Sequence, residues 1–231
     1  MRILLIGNSQ MYQHNLPDML SALSDSAPAD HPRLEIHARL KGGASLQSFW
    51  EMGTAPDSPR SIIAQGGWDA VVIQELFRAE RTSFETHAAL FDTAIRAAGA
   101  RTILFATAQV TERYDSRYTY PDSFHQFNDM QRDFGKRHGV PVVASGYAWM
   151  RYLGDRPDEA RRFDLYAPDL GHPGVKGTYI YACHLYAALT GKSPAGLAVP
   201  DRTGLDADAA RAMQRVAWEQ WCADSGTAVC G

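Results

Sequence analysis

Two short clusters, far apart in the chain, hold the residue types needed for acyl transfer. Gly7-Asn8-Ser9-Gln10 follows the apolar run Ile3-Leu4-Leu5-Ile6, and Asp169-Leu170-Gly171-His172-Pro173 comes late. A serine hydroxyl is a weak nucleophile until a base takes its proton, and that base must itself be oriented. The Asp-x-x-His spacing lets an aspartate on a tight loop hold one ring nitrogen of His172 while the other faces Ser9. If no histidine returned to this point, Ser9 would read as a helix N-cap. A second Asp-x-x-His, Asp122-Ser123-Phe124-His125, falls at the start of an expected helix, where Asp122 or Ser123 reads as the N-cap. His172 instead lies in a loop downstream of every expected strand and can fold back over the strand ends. Its structural alternative is to cap the helix that follows.

Acyl transfer also needs donors aimed at the developing oxyanion. The Ser9 backbone amide is one candidate. Gly42-Gly43 is another, because paired glycines let a backbone amide approach a ligand closely. The run Trp68-Asp69-Ala70-Val71-Val72-Ile73-Gln74-Glu75 ends a strand in an amide side chain. For Gln74, a structural hydrogen bond in the crevice stands beside a catalytic role; Glu75 reads as a surface charge or a substrate contact. Trp50, Phe77 and Tyr114 are candidate pocket aromatics, with core packing the commoner use of such side chains.

Alternating elements must bring these residues together. Apolar, β-branched runs at Arg2–Ile6, Leu34–Leu40, Ala70–Gln74, Thr102–Ala106 and Val140–Ala144 are separated by longer amphipathic segments, the pattern of a parallel α/β sheet. Leu34–Leu40 alternates apolar with polar and reads as an edge strand; the others read as strands covered on both faces. Helical patterns occupy Leu16–Ser24, Phe84–Ala98, Phe124–His138, Lys176–Thr190 and Ala207–Cys222. Gly99, Gly139 and Gly191 follow three of them and suit the left-handed C′ position. No repeat or linker divides the chain, so one α/β/α domain over residues 1–231 is expected. Open sheets of this class bind ligands at the carboxyl ends of their strands. The irregular stretch Gln109–Pro121, with three tyrosines and two arginines, reads as a substrate-facing lid or a solvated loop.

Composition narrows the partners. A net charge of −3 gives no electrostatic reason to expect nucleic acid. No run approaches eighteen apolar residues, so no membrane span is expected. Met1 leads straight into the first strand without the features of a signal peptide, which places the chain in the cytoplasm as an expectation. Three cysteines make no disulfide framework: Cys183 reads as a small buried hydrophobe, and Cys222 with Cys230 could pair. The eight histidines are scattered and Cys-x-x-Cys and His-Glu-x-x-His are absent, so no zinc site is expected.

The order Gly7-Asn8-Ser9, Gly42-Gly43, Gln74, Asp169 and His172 resembles that of the SGNH (GDSL-like) hydrolase superfamily, over a span from residue 7 to about residue 191. The resemblance implies a three-layer α/β/α fold with a five-stranded, mainly parallel, flavodoxin-like sheet. It implies Ser9 as nucleophile, His172 as general base and acid, and Asp169 as its orienting partner. The amides of Ser9 and Gly43, with the Gln74 side chain, would form the oxyanion hole. Asn8 stands where the family has aspartate. The family's Gly-x-Asn-Asp after the third strand is missing, and Gln74-Glu75 stands near that place. The expected activity is cofactor-free hydrolysis of a small-molecule ester, with an O-acetyl group, on a carbohydrate or another small molecule, the favoured leaning. Gly42, Glu75 and Tyr114 are the expected substrate contacts. A non-catalytic binding protein and an acyltransferase using the same serine remain as alternatives.

Overall fold

Alternate residues of the first strand are buried on opposite sides of one sheet. Ile3 and Leu5 join one apolar cluster, Leu4 and Ile6 the other, as the two-residue period of a strand requires. The computed structural model describes residues 1–155 and 157–226. Five strands, β1 (Arg2–Gly7), β2 (Glu35–Leu40), β3 (Ala70–Ile73), β4 (Arg101–Ala106) and β5 (Val142–Ala144), pair in parallel in the order β2-β1-β3-β4-β5. The intervening helices are α1 (Ser9–Tyr12), α2 (Leu16–Ser26), α3 (Leu46–Trp50), α4 (Pro59–Ala64), α5 (Arg81–Ala97), α6 (Asp122–His138), α7 (Ser145–Leu153), α8 (Glu159–Phe163), α9 (Val175–Thr190) and α10 (Ala207–Ser225).

The helices form the two outer layers. One face of the sheet packs Val72, Ile103 and Phe105 against α2, α7, α9 and α10; the other packs Val71, Ile73 and Leu104 against α3, α4, α5 and α6. This is the three-layer α/β/α architecture implied by the sequence, with every strand pair parallel. Helix α9 is the most completely covered, with residues 177–189 all buried. Its continuous apolar run therefore reflects packing on all sides rather than one amphipathic stripe. Cys183 is buried and free within it.

The five expected strands and five longer helices occur within a few residues of their expected bounds, and β2 is an edge. The short helices α3, α4, α7 and α8 were not expected. With five to nine residues each, they hold too few turns for a period of 3.6 to stand out. The caps at α6 also differ from expectation: its N-cap is Pro121, with no side-chain cap, and the Ser123 hydroxyl donates to the Thr119 carbonyl at 2.8 Å. Gly139 and Gly191 take the left-handed conformation at the ends of α6 and α9. Among the described residues no helix is long and apolar enough to cross a membrane. Cys230, and with it the pairing considered for Cys222, lies outside the described residues.

In the order 2-1-3-4-5 the connections diverge between β1 and β3, the place where such sheets open a crevice at their carboxyl ends. The chain leaves β1 there as Gly7-Asn8-Ser9 and leaves β3 as Gln74-Glu75. Gly7 admits no side chain: a Cβ would stand 2.7 Å from the Met11 sulfur and 2.8 Å from Gln74 Oε1.

Packing at the start of α9 is equally close, since a Cβ on Gly177 would overlap the Trp149 ring and the Leu165 carbonyl oxygen. Gly177→Ala should therefore lower unfolding stability by about 1–3 kcal/mol, as overpacking does. A urea titration that returns the wild-type midpoint would show that α9 has slack at this point.

Candidate active site

Ser9 begins α1 immediately beyond β1, and its hydroxyl lies 2.8 Å from Nε2 of His172. The other ring nitrogen, Nδ1, is 2.5 Å from Asp169 Oδ2. With Nδ1 protonated towards Asp169, Nε2 is the acceptor for the serine proton. Ser9 is not the helix cap. Asn8 is, its side chain accepting from the Gln10 amide at 3.1 Å. Nor does His172 cap α9, whose N-cap is Gly174.

The Asp169–His172 turn is held from several sides. Leu170 adopts φ = 58°, left-handed backbone that is uncommon for a residue with a branched side chain. Its carbonyl accepts from Thr111 N at 3.2 Å and from Thr111 Oγ1 at 2.9 Å. Gln10, one residue beyond the serine, donates its amide to the Gly171 carbonyl at 2.9 Å. Asp169 Oδ1 accepts from the amides of Gly171 and His172 at 3.0 and 3.1 Å. Burial pushes the Asp169 carboxyl up, but the hydrogen bonds from the His172 ring and these two amides outweigh it and leave its pKa lowered. Asp169 thus stays anionic, the state in which it orients an imidazole.

The ends of β2 and β3 meet the serine through Asn8. Its backbone N–H donates to Gln74 Oε1 at 2.9 Å, and its side-chain amide donates to the Ala44 carbonyl at 2.9 Å. Gln74 in turn donates its own amide to the Glu75 carbonyl. Its side chain therefore bonds backbone atoms at the strand ends, the structural use that the sequence had left open beside an oxyanion role. Gly43 is exposed with φ = +67°, and a Cβ built there meets nothing within 4 Å, so the loop faces open space. Gly42 packs beneath the hydroxyl of Tyr12, 2.6 Å from where a Cβ would lie.

Glu75 is neither a surface charge nor placed to touch a substrate. The residue is 1% exposed, and its Oε1 accepts from the amides of Leu46 and Leu76 at 3.1 and 2.6 Å. Burial pushes its carboxyl up to about 7, against the opposing pull of the Leu76 and Leu46 amides.

The Gln109–Pro121 stretch packs over the His172 turn. Gln109 is tied to the Phe77 carbonyl at 3.0 Å, and Tyr166 donates to the Gln109 carbonyl at 2.6 Å. Tyr114, 45% exposed, stands edge-on to the His172 ring, with centroids 6.5 Å apart, and edge-on to Phe77 at 6.1 Å. Tyr114 and Phe77 thus wall one side of the site. Trp50 does not: it packs edge-on to Phe91 at 5.2 Å, under the Arg60 guanidinium. His125 is also elsewhere, 3.1 Å from the Tyr147 hydroxyl, in a cleft of about 740 Å³ that includes neither Ser9 nor His172.

A second serine–histidine–aspartate set, unremarked in the sequence, shows by contrast what the first requires. Ser145 Oγ is 3.0 Å from His184 Nδ1, but Asp224 Oδ2 is 3.7 Å from His184 Nε2. Ser145 and His184 are fully buried and the Asp224 side chain is 3% exposed. Burial drives the His184 pKa down to about 3 and that of Asp224 up to about 6. No substrate reaches this serine, and its imidazole resists taking a proton.

No protein-family model matches the chain, and no curated protein sequence does. Solved structures do. A DUF4886 family protein from Bacteroides uniformis superposes with a TM-score of 0.78 at 18% identity, over 95% of this chain and 93% of its own. A proposed SGNH hydrolase from Slackia heliotrinireducens gives 0.64 at 23% identity, over 83% and 99%. A catalytic mutant of Axe2, an acetylxylan esterase from Geobacillus stearothermophilus, gives 0.61 at 10% identity, over 81% and 92%. The fold is that of the SGNH hydrolases. Within that fold, this chain places its serine at the end of β1 and its histidine in the loop before α9.

The Glu75 carboxyl gives the site a pH signature. Folding holds its proton up to about pH 7, whereas the unfolded chain releases it near the ordinary value of 4.5. Between these values the folded state binds more protons, so this group's contribution to stability is present below 4.5 and is lost as pH rises to about 7. Glu75→Gln removes the titration. Its stability relative to wild type should rise across that interval by up to about 3 kcal/mol. Denaturation curves at a series of pH values check this, and a constant difference between the two proteins would refute it.

Proposed function

We propose that the protein is a serine esterase that hydrolyses a small ester through an acyl-Ser9 intermediate. The observation that carries this reading is the continuous contact from Asp169 to His172 to Ser9, at 2.5 and 2.8 Å. In this reading Ser9 Oγ attacks the ester carbonyl as its proton passes to His172 Nε2. The resulting imidazolium is stabilised by Asp169 across Nδ1–H. The backbone N–H groups of Ser9 and Gly43 receive the negative charge on the carbonyl oxygen. The Ser9 amide suits the task because the first amides of a helix lack an intrahelical acceptor. The Gln74 side chain is assigned to holding Asn8, since its amide is already spent on the Glu75 carbonyl. Collapse of the tetrahedral intermediate expels the alcohol, which takes the proton from His172. A water molecule then gives a proton to the same nitrogen and attacks the acyl group. A second collapse releases the acid and restores Ser9.

An O-acetyl group on a carbohydrate or other small molecule is the substrate we favour. Tyr114 and Phe77 offer ring surface beside His172, and acetylxylan esterases are among the proteins that share the fold.

Ser9→Ala should abolish both hydrolysis of p-nitrophenyl acetate and labelling by an organophosphonate, with the circular-dichroism spectrum unchanged. Undiminished turnover would end this assignment. Asp169→Asn should lower kcat on the order of 10²–10⁴-fold with little change in KM, since it acts through the histidine's tautomer and orientation.

A further inference from the structure

The loop between β2 and α3 carries Gly43, and it is tied down at three points. Lys41 N donates to the Gly7 carbonyl at 3.0 Å where the loop begins. Asn8 Nδ2 donates to the Ala44 carbonyl at 2.9 Å near its middle. Glu75 Oε1 accepts from Leu46 N at 3.1 Å where the loop becomes α3. The same oxygen accepts from Leu76 N at 2.6 Å, while Glu75 Oε2 is buried without a partner among the described residues. Burying half a carboxyl unsatisfied is costly. An apolar side chain of similar volume would avoid that cost but leave the Leu46 and Leu76 amides without their acceptor.

We infer that Glu75 is a positioning residue for the reaction, its buried carboxyl fixing the Gly43 loop so that the loop's amide meets the oxyanion. This rests on the acyl-Ser9 reading. Two of the three ties come from the β1 end itself, so removing the third lets the far end of the loop pivot about Ala44. A displacement near 1 Å at a reacting centre can cost about 10²-fold in rate, comparable to losing one oxyanion donor at about 10²–10³.

The test compares Glu75→Leu, Glu75→Gln and Leu46→Pro with wild type. Leucine removes the acceptor and glutamine keeps one. Proline removes the Leu46 N–H at the first helical position, where its backbone is tolerated, though it also trims a side chain buried in the core. With p-nitrophenyl acetate, E75L and L46P should each lose about 10–10² in kcat while KM changes by less than about threefold. E75Q should recover most of the loss. Amide hydrogen exchange at residues 42–45 should quicken in E75L and L46P but not in E75Q. A folded E75L or L46P with wild-type kcat overturns the inference, as does an E75Q as impaired as E75L. If E75L fails to fold, L46P and E75Q decide between them. If wild type neither turns over an ester nor labels with a phosphonate, the serine reading fails. The exchange data then still show whether Glu75 holds the loop, and unchanged exchange in E75L overturns that part too.

Discussion

Asn8 is buried at the junction of β1, the loop after β2 and the end of β3, and three of its polar atoms are spent on joining them. Its backbone N–H goes to Gln74, its side-chain N–H to Ala44, and its side-chain oxygen caps the helix that Ser9 begins. These bonds form in a buried setting, where an unmade one would cost the full desolvation of the group. The position of Ser9 is therefore set by a residue with no part in the chemistry. The same constraint explains Gly7, where a side chain would drive β1 away from Gln74. It also suits asparagine, rather than aspartate, at this position. A carboxylate could cap α1, but it could not donate to the Ala44 carbonyl without taking up a proton.

The two serine–histidine–aspartate sets differ in burial more than in composition. Around His172 the carboxylate accepts two backbone amides and stays ionised, and the serine is open to the crevice. Around His184 the same residue types lie among packed helices, where neither imidazolium nor carboxylate is well solvated. Burial there disfavours the charge separation that general-base catalysis creates. The first set differs in lying at the carboxyl end of the sheet, partly exposed, with its carboxylate held by backbone amides.

The Gln109–Pro121 stretch connects this chemistry to one wall of the site. Its Thr111 holds the Leu170 carbonyl and its Tyr114 borders the His172 ring. Gly171 lies directly under the Tyr114 ring, with no room for a Cβ. Loop and histidine turn are thus packed as one unit, and a change in either is felt by the other.

By itself the sequence determined the order of the strands along the chain, the longer helices and the residue types at the strand ends. Runs such as Ile3–Ile6 and Val71–Ile73 carry these signals locally, because burial on both faces demands unbroken apolar residues. The pairing of Asp169 with His172 was also legible, since three residues of spacing close a tight turn. Short helices such as α3 were not, and neither was the use of Glu75, whose partner Leu46 lies 29 residues away. Gln74 looked like a donor because strand-end position alone does not say which way an amide turns. Only the tertiary structure decided that Asn8 bonds Ala44 and the Glu75 carboxyl bonds Leu46, and that His172 rather than His125 lies beside Ser9. The physical reason is that these choices depend on contacts between segments remote in sequence and on how deeply each is buried.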